Sequence, residues 1–121
     1  MHPRSIMERL GTILREAARA RRLMTERDAI AALGWNDDGP EKRRQLAFLL
    51  NSVSTIQVRS HRVPMLAATI VSEDTGRPGR GFFALARGLG VLGAAEDEDR
   101  FWMAELARVY RFWGMAGVPE R

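Results

Sequence analysis

The chain has 121 residues, 45% of them hydrophobic, which suits one compact domain over 1–121 with its own core and excludes disorder along its whole length. It has no cysteine, so disulfides and thiolate metal sites are excluded, and it has no apolar run of bilayer-spanning length. The 19 basic residues outnumber the 15 acidic ones for a formal charge of +4, and every basic residue except Lys42 is arginine, whose planar fork suits phosphate and carboxylate. Arginine preference also follows from G+C-rich coding, so the charge alone does not designate a nucleic-acid partner. With no secretion signal in view, the expected location is the cytoplasm.

Residues 5–24 have the spacing of an amphipathic helix, with Ile6, Leu10, Ile13, Leu14, Ala17 and Ala18 on one stripe and Arg15, Arg19 and Arg22 on the polar side. Thr25 and Asp28 stand at capping-box spacing and predict a short helix over 26–33, stopped by Gly34. Asn36 to Pro40 is a polar turn, and Trp35 beside it is expected to lock helices together. Residues 41–56 read as the central helix, with Leu46, Leu49, Leu50, Val53 and Ile56 on its apolar face and Phe48 off that stripe. Beyond Ser54 the β-branched residues leave helix and extended chain both open.

Pro64 marks a break, and 65–71 has the strongest strand composition in the chain. A strand's backbone groups need partners. Residues 56–63 are the nearest candidate, in a hairpin; if they are helical, the strand must pair with a distant segment or with a second copy of the chain. After a turn-rich stretch over 73–81, residues 82–89 have helical spacing, and a last helix is expected over 97–113, its acidic start matching the positive end of the helix dipole. Trp102, Leu106, Val109 and Trp113 form its stripe, and Gly114 and Gly117 are expected to end it. The fold class is therefore mainly α with a small β element (α+β): four or five helices around one core, with a short strand or hairpin near 56–71.

Arg59 to Phe83 is the stretch that packing alone does not explain. Gly76, Gly79 and Gly81 allow unusual backbone angles or close approach, Pro78 restrains the path, and Arg77 and Arg80 bracket a turn that leads into a helix. Backbone amides at a helix start beside arginines suit an anion. The candidate nucleic-acid or anion contacts are Arg59, Arg62, Arg77, Gly79, Arg80 and Gly81. The competing structural reading is a reverse turn with solvated arginines. The segment lacks the lysine and following hydroxyl of a phosphate-binding P-loop.

His61 with Glu73 or Asp74 is the candidate catalytic group of an enzymatic alternative, since an imidazole near a carboxylate can move protons around neutral pH. A nuclease on this plan needs a further carboxylate, from Glu41 or from 96–99, to hold a divalent metal. The residues prescribe no metal site and no cofactor.

The segments Pro64-Met-Leu-Ala-Ala-Thr-Ile-Val, Thr75-Gly-Arg-Pro-Gly-Arg-Gly-Phe-Phe-Ala-Leu-Ala and Leu89-Gly, with Trp102 and Val109-Tyr-Arg-Phe-Trp, resemble a pattern found in small uncharacterised bacterial and phage-associated proteins. The likeness covers about half the chain. It implies that the glycine-rich segment is a family feature, and it carries over no functional residue.

Three functions are expected in this order. The first is a noncatalytic nucleic-acid-associated binding or regulatory protein, with DNA or RNA as partner and an Arg/Gly-rich surface. The second is a small metal-dependent nuclease or phosphoryl-transfer enzyme. The third is a protein-binding structural subunit. Self-association as a homodimer is expected through the strand 65–71 or the helix 97–113, and no membrane is involved.

Overall fold

The computed structural model describes residues 3–116, with side chains over 6–114. Five α-helices are present among them: α1 (Pro3–Arg19), α2 (Glu26–Ala32), α3 (Pro40–Ile56), α4 (Arg80–Gly88) and α5 (Glu98–Ala116). The β element is two short parallel strands, β1 (Met24–Thr25) and β2 (Ile70–Val71), with Met24 opposite Ile70 and Thr25 opposite Val71. The mainly helical α+β architecture is the one the periodicity predicts.

One core joins the helices. Leu10, Leu14, Ala17 and Ala18 of α1 are fully buried, as their spacing requires, and Leu10, Leu14 and Ala18 share one cluster with Leu46 of α3 and Val109 of α5. Each such leucine contributes about 1.5–3 kcal/mol relative to an exposed one. On α3 the apolar stripe narrows: Leu46 and Leu49 are buried, whereas Ile56 is 46% exposed and Phe48, off the stripe, is 69% exposed.

Helix ends follow local chemistry. Thr25 caps α2 by accepting from the Asp28 amide, and the Asp28 carboxylate accepts from the Thr25 amide, completing the capping box. Asp97 accepts from the Arg100 amide and so caps α5. α1 stops at Arg19 rather than near 24, because Arg21 adopts a left-handed φ of 54° and the Arg21 and Arg22 amides return to the Ala18 and Ala17 carbonyls. The same closure ends α2 at Gly34 (φ 82°) and α4 at Gly90 (φ 80°). Gly114 does not end α5, which continues to Ala116; Gly117 lies outside the described residues.

The segment 65–71 departs from the expected strand. Only Ile70 and Val71 are extended; Leu66–Thr69 is a 3-10 turn. Residues 56–63 do not form a hairpin partner. α3 runs on into a π turn, Gln57–His61, which ends where Arg62 turns left-handed at φ 54°. The physical reason is that helix side chains, not a neighbouring strand, serve the backbone here. The Met65 amide donates to Glu105, the Leu66 amide to Gln57 Oε1, and Trp102 Nε1 donates to the Ala68 carbonyl. Thr69 Oγ1 closes on the Leu66 carbonyl. With those groups satisfied, a ladder is needed only at β2, and the distant β1 supplies it.

Candidate nucleic-acid interface

The arginines fall into two sets, those held by carboxylates and those that are not. At the first turn of α3, Arg43 Nη1 lies 3.0 Å from Glu26 Oε1 and 2.9 Å from Glu73 Oε1, and its Nε donates to the Asp38 carbonyl oxygen at 2.8 Å. Arg27 Nε meets Asp38 Oδ2 at 2.7 Å. Glu73 also accepts from the Arg27 amide at 2.6 Å, which satisfies an otherwise unpaired amide in the first turn of α2. Burial pushes the Glu73 carboxyl up, but the hydrogen bonds from Arg43 and the Arg27 amide outweigh it and hold the group below its ordinary value. The hydrogen bond from Arg27 likewise holds Asp38 low.

The glycine-rich turn is tied down in the same way. The Ser72 amide donates to the Arg77 carbonyl and the Gly76 amide to the Ser72 carbonyl, closing the loop on itself. Gly76, at φ 71°, is the glycine whose backbone angle demands glycine; Gly79 is an ordinary extended N-cap of α4 at φ −73°. Arg77 pairs with Asp99 at 2.6 Å and lies over the Phe83 ring, while Arg87 pairs with Glu98 at 2.7 Å. The 96–99 block therefore anchors arginines as well as starting α5. The anion beside the α4 start is the chain's own Glu26, whose Oε2 would lie 3.8 Å from a Cβ placed on Gly79. Arg80 and Gly81 are exposed, and space around Gly81 is open.

The far end of α3 is different. Arg59, His61 and Arg62 are exposed on the π turn, and no ion pair or hydrogen bond engages their side chains among the described residues. His61 also lines a groove of about 540 Å³ between α1, the end of α3 and α5. Arg15 and Glu8 line it from α1, His61 from the π turn, and Phe112 and Trp113 from α5. Phe112 is 39% exposed and meets Trp113 edge-on at 4.9 Å; Trp113 Nε1 is buried with no acceptor.

The expected contacts thus divide. Arg59 and Arg62 share one end of α3, while Arg77, Gly79, Arg80 and Gly81 belong to the α4 start. Arg43, bound to Glu73, is 13 residues before the end of α3 at Ile56, a helical rise of about 20 Å. By the same geometry His61 and Glu73 stand at opposite ends of α3, and Asp74 is exposed on the turn beside Glu73. Among the described residues no group of three His, Cys, Asp or Glu side chains assembles to hold a metal ion. Sequence reading did not group Arg15, Phe112 and Trp113 with His61, because α1, α5 and the π turn are separate elements whose convergence has no local signature. No described helix is long and apolar enough to cross a membrane. Comparison of the chain with protein-family models, with curated proteins and with solved structures finds no match.

Proposed function

We propose that the chain is a noncatalytic nucleic-acid-binding protein of the cytoplasm, and that its contact surface is the groove lined by His61 together with the exposed Arg59 and Arg62 next to it in the chain. The observation that carries this reading is the segregation of charge along α3: the guanidinium of Arg43 is shared among carboxylates, whereas Arg59 and Arg62 pair with none among the described residues. Unpaired guanidiniums are the groups that displace counterions from a phosphate backbone. The exposed Phe112 ring offers a face for an unpaired base, which favours single-stranded DNA or RNA over a duplex. Arg80 extends the basic surface elsewhere, while Arg77 serves the fold.

The test is oligonucleotide binding across a salt series. Wild type binds more weakly as salt rises, and Arg59→Ala with Arg62→Ala lowers the log–log salt slope by about 1–2 while stability is kept. Absence of binding to single-stranded DNA and RNA at low salt rejects the reading, as does an undiminished slope in the double variant.

A second reading, self-association, rests on exposed apolar side chains of α5, where Met103 is 60% exposed and Phe112 39%. Of the two surfaces expected for a homodimer, 65–71 is buried within the chain, whereas α5 keeps one accessible face. Sedimentation across a concentration series checks it, with Met103→Glu expected to keep the chain monomeric.

A further inference from the structure

A second cleft, of about 120 Å³, opens on the other side of α3, between that helix, α4 and the segment leading into β2. Its body is apolar, built by Leu46, Leu50, Ala67, Ile70, Phe82 and Leu85. Ser54, which also lines it, is fully buried, and its hydroxyl has no hydrogen-bond partner. The neighbouring hydroxyls of α3 behave otherwise. Ser52 donates to the Phe48 carbonyl at 3.0 Å and Thr55 to the Asn51 carbonyl at 2.8 Å, each closing on its own helix four residues back. Ser54 makes no such bond to Leu50, so a polar group sits unsatisfied in an apolar wall, an arrangement that folding disfavours and a ligand would relieve.

The mouth is polar. Glu26 and Arg43 line it as an ion pair at 3.0 Å, the guanidinium being shared with Glu73. A charged ligand would have to break that pair; an uncharged one would not. Cavities of roughly 150 Å³ with aliphatic and aromatic walls take up benzene-sized molecules, so the space here suits one ring or a short branched chain.

We infer that this cleft is a binding site for a small uncharged molecule with an apolar body and one hydroxyl or carbonyl, the polar atom hydrogen-bonding to Ser54 Oγ. This site is distinct from the basic groove and does not depend on it. Phenol is the probe, with toluene as its partner lacking the polar atom, titrated into the full chain while the methyl resonances of Ala67, Ile70 and Leu85 are followed by NMR.

Phenol is expected to shift those methyls and to bind about three- to tenfold more tightly than toluene, the increment of one net hydrogen bond. Ser54→Ala removes that preference and leaves toluene binding unchanged, while circular dichroism shows the helical fold intact. Ala47→Leu, which narrows the cleft at its wall without touching the hydroxyl, weakens both probes together. Equal affinity for the two probes in wild type, or a preference that survives in Ser54→Ala, overturns the assignment. So does a cleft whose methyls respond to neither probe, which then holds water only.

Discussion

At the start of α3, Arg43 is surrounded by Glu26, Asp38 and Glu73; past its end, Arg59 and Arg62 meet no carboxylate among the described residues. The residue type is the same and the roles are opposite. At the first end, arginine is a cross-link that fastens α2, α3 and the turn after β2 to one another. At the other end the fold is fastened by a neutral side chain, Gln57, and the arginines are left to solvent. Counting arginines in the sequence cannot separate these roles, because what divides them is the position of acids far away in the chain.

The largest effect is expected at the neutral fastening. Gln57→Leu leaves the buried Leu66 amide without its acceptor and is expected to destabilise the fold by about 2 kcal/mol in urea unfolding. A change under about 0.5 kcal/mol would show that the far end is not held in this way. Arg43→Ala comes next, at about 1–2 kcal/mol, since the pairs are part-exposed and screened but three carboxylates lose their common partner. Arg59→Ala, measured beside it, is expected to stay within about 0.5 kcal/mol.

Acid sharpens the contrast further. Glu73 and Asp38 have carboxyl groups held below their ordinary values. Their stabilisation is therefore complete above about pH 5 and is lost as pH falls through the lowered folded values. Glu73→Gln is expected to flatten that acid limb of a stability–pH curve, and a limb unchanged in the variant would remove Glu73 from the account.

Two further substitutions are expected to act with the opposite sign. Arg62 holds a left-handed backbone angle that glycine adopts freely, so Arg62→Gly is expected to stabilise by about 1 kcal/mol while weakening oligonucleotide binding. Arg21→Gly has the same backbone gain but loses the stacking of Arg21 over Tyr110, and should stabilise less. An equal gain at both positions would show that this stacking contributes nothing.

Features that depend on near neighbours in sequence were legible before the structure. The helices over Leu10 to Ala18 and Trp102 to Val109 follow from spacing, and the Thr25–Asp28 box from adjacent residues. Phe48 lies outside the core as its position off the stripe implies. Features that depend on distant partners were not. The segment 65–71 has strand composition, yet Gln57, Trp102 and Glu105 take its backbone groups, two of them from more than thirty residues away. Glu73 looked like an acid available for chemistry because Arg43, thirty residues earlier, and the Arg27 amide are invisible as its partners in a linear reading. Of the expected contacts, Arg59 and Arg62 were identifiable as arginines but not as unpaired ones.

The β1–β2 pair has a consequence for the order in which the molecule assembles. Two residues pair with two across the whole of α2, α3 and the π turn, so the contact closes a very long loop for very few hydrogen bonds. Such a contact cannot nucleate folding; it forms once the intervening helices have brought its halves together. During synthesis β1 waits unpaired while α2 and α3 emerge. In a kinetic experiment, substitutions at Thr25 or Val71 should therefore speed unfolding and leave the refolding rate nearly unchanged. This sheet of two residues against two is expected to close only after the helices it spans have packed.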